Sequence, residues 1–144
     1  PCGIFIDIAV NLYVADCGND RVQLMKSGEM NGTTINTNTI TLSCPTGVIL
    51  DGDGYVFIVD SLNNRIVGSG ANGFRCLVGC ISGSSSLTNT LNNPTTLSFD
   101  SYGNIFVTDL GNERIQKFFF LNDSCVLDQT TETTETTASI ITTP

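Results

Sequence analysis

The apolar positions of this chain fall in short segments that are separated by Gly, Asn and Asp. Three such segments are each followed, after a short turn, by a second one, and the pairs are residues 3–7 with 12–16, 47–51 with 56–60, and 96–100 with 105–109. Short apolar segments bounded by turn residues are typical of β-strands. Since no segment longer than a turn has helical periodicity, the pattern predicts an all-β fold.

Each pair of segments is followed by further strand candidates. A third strand is predicted to begin at an arginine in each unit, over residues 21–25, 65–67 and 114–118. Residues 39–42 and 74–78 are candidates for a fourth, outer strand. The pattern therefore predicts three or four antiparallel strands in each unit.

The turn between the first two strands differs in the first unit. The second and third units carry Gly54 and Gly103 there, which supply the positive φ that such turns need. Val10 stands at the corresponding place in the first unit. Because valine disfavours positive φ, a different turn is expected in that unit.

The strand pairs belong to an internal repeat whose units begin at Pro1, Pro45 and Pro94, with spacings of 44 and then 49 residues. In each unit an Asp follows the Pro at a fixed spacing in the sequence. A second Asp comes nine residues later, and an Asn and an Arg follow it at fixed spacings. Agreement at so many offsets is not coincidental. Periods of this size indicate a solenoid or a propeller.

The fullest copy of the repeat, residues 45–66, reads Pro-x-Gly-Val-x-x-Asp-x-x-Gly-x-Val-Phe-Ile-Val-Asp-x-x-Asn-x-Arg-Ile and resembles an NHL repeat. The resemblance covers residues 1–127 in three copies, with departures at Val10 and Thr96. It implies an antiparallel β-propeller, in which each copy is one blade of three or four strands. The blades are expected at about residues 1–44, 45–93 and 94–127.

Three blades do not close a ring, because propellers typically have four to eight. Further blades are therefore expected upstream of Pro1; assembly with other chains and an open half-propeller are the alternatives. Residues 128–144 contain eight Thr, three acidic residues and no basic residue. This composition predicts a disordered linker, either a plain one or an O-glycosylated stalk.

The repeated polar residues have two interpretations. They are Asp16, Asn19, Arg21, Asp60, Asn63, Arg65, Asp109, Asn112 and Arg114. One interpretation is a ring of charged binding sites, one on each blade. The other is that Asp and Asn form turns at the strand ends while Arg fixes the loop through charge-assisted hydrogen bonds. The structural interpretation is favoured, because a set that recurs in every blade suits architecture better than recognition of one ligand.

The turn Asp51-Gly-Asp53-Gly54 resembles the start of a calcium-binding loop. The corresponding turn at Asp100 lacks the second acidic residue, and no Glu stands at the twelfth position. A tight hairpin turn is therefore favoured, and no metal or cofactor is predicted.

Six scattered cysteines, without a CxxC pair, favour disulfides in an oxidising compartment over a metal site, and buried free thiols are the alternative. They are Cys2, Cys17, Cys44, Cys76, Cys80 and Cys125. Counting back from the hairpin turn places Cys2 opposite Asp16 and within reach of Cys17, so this pair is predicted. Cys76 and Cys80 are predicted to close a small loop, while Cys44 and Cys125 stay unassigned. Asn31 and Asn122 begin N-glycosylation sequons.

The composition narrows the function. The chain has 14 acidic and 6 basic residues, a net charge of −8 and no histidine. The acidic balance argues against nucleic acid as a partner. The missing histidine removes the commonest general base and zinc ligand, and no apolar run is long enough to span a membrane. These features predict an extracellular, non-enzymatic module that binds a protein or a glycan.

The resemblance brings two further functions. Related propellers include a zinc-dependent lyase that acts on modified peptide ends. The resemblance implies a metal held by histidines in that lyase, and this chain has no histidine. Similar intracellular propellers lie behind RING and B-box domains in TRIM-like ubiquitin ligases and recognise RNA or protein. The missing histidine places the lyase behind the extracellular binding module. The few basic residues, the cysteines, the sequons and the threonine-rich tail place the ubiquitin ligase behind it as well.

Overall fold

A computed structural model gives the fold of residues 1–80 and 90–119, which form three antiparallel sheets without an α-helix in these ranges. The first sheet contains β1 (Gly3–Ile6), β2 (Leu12–Asp16), β3 (Arg21–Met25) and β4 (Thr33–Thr34). The second contains β5 (Pro45–Leu50), β6 (Val56–Asp60), β7 (Arg65–Gly68) and β8 (Arg75–Val78). The third contains β9 (Pro94–Phe99), β10 (Ile105–Asp109) and β11 (Arg114–Phe118). The all-β prediction is confirmed.

Each sheet is a meander in which strands that follow one another along the chain are neighbours. In the first hairpin Ile4 pairs with Val14 and Ile6 with Leu12, which is the register obtained by counting from the turn. A short 3₁₀ turn joins the second strand of each sheet to the third. The repeat in the sequence is therefore a repeat of the same sheet.

The hairpin turn of the first sheet has the same form as the other two, so the expectation of a different turn is wrong. Val10 adopts a φ of 62°, while Gly54 and Gly103 adopt 84° and 83°. The Val10 N–H donates to the carbonyl of Asp7 at 3.0 Å. The Asp7 carboxylate also accepts the N–H groups of Ala9 and Asn11, at 2.9 and 2.8 Å. These bonds hold the turn although valine disfavours this φ.

The fourth strand of the first sheet is Thr33–Thr34, and the prediction of a strand at residues 39–42 is wrong. Residues 39–42 instead belong to the linker that enters the second sheet. The Thr41 carbonyl accepts a hydrogen bond from Nη2 of Arg65 at 2.7 Å, so it is bound to a side chain and not to a neighbouring strand. The other candidate is confirmed in part, since β8 covers most of residues 74–78.

The second sheet lies between the other two and packs against both. One apolar core joins it to the first sheet and contains Tyr13, Ala15, Val22, Leu42, Val48, Ile58 and Val67. The other joins it to the third sheet and contains Phe57, Val59, Ile66, Val78, Leu91, Leu97, Ile105, Val107 and Phe118. Successive side chains of a strand point to opposite faces. Both faces of β6 are covered by neighbouring sheets, which explains why its sequence is a continuous apolar run.

The outer face of the first sheet is apolar and uncovered in the described part of the chain. Ile4 is 68% exposed and Ile6 57% exposed. Val48 and Leu97 occupy the place of Ile4 in the second and third sheets and are 2% and 5% exposed. A position that is buried in two sheets is thus open to solvent in the first.

The structure contains the disulfides Cys17–Cys44 and Cys76–Cys80, and Cys2 is a free, exposed thiol. The predicted Cys76–Cys80 bridge is confirmed and the predicted Cys2–Cys17 bridge is wrong. Cys17 begins the 3₁₀ turn that leaves β2, and Asp20 at the end of this turn accepts the N–H of Cys44 at 2.7 Å. This contact places the incoming linker beside Cys17. Cys125 lies outside the described residues.

Alkylation of the unreduced chain separates the two cysteine pairings. We expect iodoacetamide to modify Cys2 and to leave Cys17 and Cys44 unmodified until a reductant is added, because only the free thiol forms a reactive thiolate. Peptide mapping by mass spectrometry measures this. A Cys2–Cys17 peptide together with an alkylated Cys44 would contradict the structure.

Candidate functional site

One polar cluster recurs at the same end of every sheet. In it an Asp carboxylate accepts hydrogen bonds from an Asn three residues later and an Arg five residues later. We call these clusters the first clamp (Asp16, Asn19, Arg21), the second clamp (Asp60, Asn63, Arg65) and the third clamp (Asp109, Asn112, Arg114). The distance from Nε of Arg to Oδ2 of Asp is 2.9, 2.7 and 2.8 Å in the three clamps.

The backbone brings each clamp together. After each Asp a 3₁₀ turn is closed by a residue with positive φ, namely Asp20, Asn64 or Glu113. The chain then reverses, so that the Arg that opens the next strand is paired directly with the Asp. Asp and Asn tolerate this left-handed conformation better than most residues. The three clamps thus follow from one turn that is used three times.

The second and third clamps hold the linker that enters their sheet. Oδ1 of Asp60 accepts the N–H of Ser43 at 2.6 Å, and Oδ1 of Asp109 accepts that of Asn92 at 2.7 Å. Nη2 of Arg65 and of Arg114 donates to the carbonyl of Thr41 and of Thr90, each at 2.7 Å. The side chains of Asp60 and Asp109 have no exposed surface. The charged groups of these two clamps therefore bind main chain within the protein.

A contact that the sequence analysis missed joins the successive sheets. The Cys17–Cys44 disulfide links the first 3₁₀ turn to the residue just before Pro45. At the next junction the corresponding residues are Ser61 and Asn93, and Oγ of Ser61 lies 2.8 Å from Oδ1 of Asn93. The repeat alignment carries this signal, because it sets Ser61 beside Cys17 and Asn93 beside Cys44.

The opposite end of the sheets carries the hairpin turns, each closed by an Asp. The Asp51 carboxylate accepts the N–H groups of Asp53 and Tyr55 at 3.0 and 2.9 Å, as in a hairpin turn. Each turn presents a large side chain to solvent: Ile8 is 105% exposed, Tyr55 39% and Tyr102 87%. We call Ile8, Tyr55 and Tyr102 the hairpin tips. The sequence analysis did not single them out, although the repeat places them in equivalent turns.

Hydrogen bonds lower the pKa of three aspartates. The side-chain amide of Asn11 is the main cause at Asp7, and that of Asn104 at Asp100. At Asp16 the amide of Asn19 contributes most to the lowered pKa, followed by Arg21. In each case the donors favour the charged carboxylate.

The remaining predicted residues lie apart from these two ends. Asn31, the first residue of one sequon, is exposed just before β4, and Asn122 lies outside the described residues. Lys117 has its Nζ 3.6 Å from the carboxylate of Asp100. Within residues 1–80 and 90–119 no three His, Cys, Asp or Glu side chains are grouped so as to hold a metal ion.

Replacing the carboxylate of the second clamp tests its contribution to the fold. We expect Asp60→Asn to lower the free energy of unfolding by about 3–5 kcal/mol, because the substitution leaves Arg65 without its buried partner. Asp16→Asn should cost less, since the carboxylate and the guanidinium of the first clamp are more exposed than those of the second. The exposed Asp53→Asn is the matched control and should change stability by no more than about 0.5 kcal/mol. Urea unfolding measures all three, and equal losses for Asp60 and Asp53 would contradict the role of the clamp.

The lowered pKa of Asp100 predicts a loss of stability in acid. The pKa of Asp100 lies below the ordinary 3.8 in the folded chain. Its contribution to stability is therefore fully present above the pKa of the unfolded chain, and it is lost as the pH falls through the pKa of the folded chain. Asp100→Asn keeps a side-chain oxygen for the turn but does not titrate. We expect the variant to lose less stability than the parent chain between about pH 5 and about pH 2.5. Urea midpoints at several pH values measure this, and parallel curves would refute it.

Comparison with known proteins identifies the fold. No family model matches the chain, and no curated protein matches it in sequence. Among solved structures, virginiamycin B lyase from Staphylococcus aureus matches 85% of this chain and 42% of its own, with a TM-score of 0.55 and 14% identity. A catalytically inactive variant of that lyase with quinupristin gives a TM-score of 0.60 at 12% identity, over the same shares of the two chains. A protein of unknown function from Bacteroides thetaiotaomicron gives 0.63 and 19%, over 75% of this chain and 32% of its own.

These neighbours establish that the three sheets are β-propeller blades, and at such identity the likeness concerns the fold alone. The chain spans less than half the length of each of these structures. The prediction that the chain is not an enzyme is contradicted, because the neighbours include lyases and the fold is therefore one that carries catalysis. The exclusion relied on the missing histidine, and composition alone does not exclude catalysis from a fold that supports many functions.

Proposed function

We propose that this chain is a segment of an NHL-type propeller and that its hairpin tips bind a partner protein. The observation that carries the proposal is the exposure of Ile8, Tyr55 and Tyr102 at one end of three stacked sheets. Exposed apolar and aromatic side chains on fixed turns are typical of protein-binding surfaces. The mixture of an aliphatic tip with two tyrosines supports a protein over a glycan.

The clamp end and the hairpin end of the sheets make different kinds of contact, and this difference supports the same function. The second and third clamps use their charges on the linkers inside the protein, at distances of 2.6 to 2.8 Å. The hairpin turns are braced by their own aspartates, so their tips are presented without much conformational freedom. A rigid surface loses little entropy on binding.

The NHL assignment rests on the repeated Asp, Asn and Arg and on the fit of residues 45–66 to the repeat pattern. The same proposal places the blades at about residues 1–44, 45–93 and 94–127. It assigns residues 128–144 to a Thr-rich linker or stalk. Further blades of the same repeat complete the ring in this proposal.

An extracellular location is part of the proposal. Disulfides persist in oxidising compartments, and the structure has two of them. The exposed Asn31 is proposed to carry an N-glycan. No helix in the described ranges is long and apolar enough to cross a membrane.

The charges support a protein rather than RNA. The arginines of the three clamps are paired with aspartates, and Lys117 lies beside Asp100. Lys26 and Arg75 are exposed, which is a small basic surface against a net charge of −8. Affinity for nucleic acid depends mainly on cations that neutralise phosphates.

The tips are tested by a triple variant, Ile8→Ser, Tyr55→Ser and Tyr102→Ser. The probes are an array of extracellular protein ectodomains and a glycan array, each exposed to the parent chain and to the variants. We expect binding to one or more ectodomains, weakened at least about tenfold by the triple variant.

The matched control is Leu62→Ser with Leu110→Ser, because these exposed leucines lie at the clamp end. The control should bind as the parent chain does. Equal binding by the triple variant, or binding to glycans alone, would overturn the proposal.

A further inference from the structure

The sequence contains two Asn-Gly pairs, Asn31-Gly32 and Asn72-Gly73, and both asparagines are exposed. Asn is one of the thermolabile residues, because the main-chain nitrogen of the next residue can attack its side-chain carbonyl. Glycine obstructs this attack least, since it has no side chain. Each pair lies in the turn between the third and fourth strands of its sheet. Sequence and place in the repeat therefore do not separate the two pairs.

The fold holds the second pair. The N–H of Gly73 donates to the carbonyl of Gly70 at 3.0 Å, and the N–H of Gly70 donates to the carbonyl of Gly73 at 3.0 Å. Gly73 also lies against the linker that enters the second sheet, because a Cβ added to it would collide with the side-chain amide of Asn38. The nitrogen that would attack Asn72 is therefore hydrogen-bonded, and its backbone is held in place.

The first pair is held by no such bonds. The N–H of Glu29 donates to the carbonyl of Lys26 at 2.9 Å and closes the turn that precedes the pair, and β4 begins after it at Thr33. Between these two points, the N–H of Gly32 and the side-chain amide of Asn31 make no hydrogen bond with any of residues 1–80 and 90–119.

The register of β3 and β4 explains why the N–H of Gly32 has no partner there. The N–H of Ile35 donates to the carbonyl of Val22 at 2.9 Å, and Leu24 is paired with Thr33. Bonded and non-bonded positions alternate along an antiparallel pair of strands. The position of Leu24 and Thr33 is thus a bonded one, and the next position, at Gly32, is not. The N–H of Gly32 is therefore directed away from β3.

We propose that Asn31 is a site of spontaneous deamidation and that the fold protects Asn72 from the same reaction. The nitrogen of Gly32, once it has given its proton to water or hydroxide, attacks Cγ of Asn31, and Nδ2 leaves as ammonia. Water then opens the resulting five-membered succinimide ring. Opening at one carbonyl leaves aspartate, and opening at the other leaves isoaspartate, in which the main chain runs through the former side chain.

The reaction changes both the charge and the modification chemistry of this turn. It adds a carboxylate close to Glu29 in a chain whose net charge is already −8. It also removes Nδ2, the atom to which an N-glycan is attached, so a glycan and deamidation at Asn31 exclude each other on one chain. The inference goes beyond the proposed function and does not depend on the hairpin tips.

The difference between the two asparagines is tested on the unglycosylated full chain, incubated at mildly alkaline pH in isotope-labelled water. Peptide mapping by mass spectrometry measures the conversion, and the isotope marks carboxylates formed during the incubation. We expect Asn31 to convert about fivefold faster than Asn72, the factor that one hydrogen bond on the attacking nitrogen contributes. In urea both should convert at similar rates, because the fold no longer holds either pair.

Two glycine variants test the chemistry. Gly32→Ala keeps the sequon but places a methyl group beside the attacking nitrogen, where it meets only the end of the flexible Gln23 side chain and the side chain of Met25. We expect it to slow conversion at Asn31 to the rate at Asn72 or below. Gly52→Ala, at an exposed glycine with open space around it, is the matched control and should leave the Asn31 rate unchanged.

Three results would overturn the proposal. Equal rates at Asn31 and Asn72 in the folded chain, or a faster rate at Asn72, would exclude Asn31 as the preferred site. A difference that persists unchanged in urea would show that local sequence, and not the fold, sets it. An unchanged Asn31 rate in Gly32→Ala would rule out attack by the Gly32 nitrogen.

Discussion

The fold of this chain depends on carboxylates that are removed from water at the ends of its strands. Asp60 and Asp109 have no exposed surface, which is costly for a charged group unless it is paired and hydrogen-bonded. Each accepts from an Asn, from an Arg and from the backbone of the incoming linker. One side chain therefore joins the turn, the strand that follows it and the connection from the preceding sheet.

This arrangement also explains how the polar and apolar parts of the structure cooperate. The linker residues between the bonded carbonyl and the bonded N–H are Leu42 and Leu91, and both lie in the cores between sheets. A clamp that fixes the backbone on either side of a leucine fixes the leucine as well. Packing between successive sheets is thus positioned by hydrogen bonds that lie outside the core.

Much of the fold could be predicted from the sequence because local rules set it. The hairpin register followed from the turn position, and the strands followed from the apolar pattern. The errors concern contacts between units: residues 39–42 are strand-like by composition, yet Arg65 binds them as a linker. Cys17 has Cys2 near it in the register, yet the turn directs it to Cys44. The hairpin tips could be recognised only from side-chain exposures, which a sequence pattern does not contain.

The two junctions between the sheets differ in kind. A disulfide joins Cys17 to Cys44 at the first, while Ser61 and Asn93 meet through a hydrogen bond at the second. A covalent bond withstands mechanical force that readily parts a hydrogen bond and the packing around it. When the chain is pulled, the third sheet would therefore separate from the second before the second separates from the first.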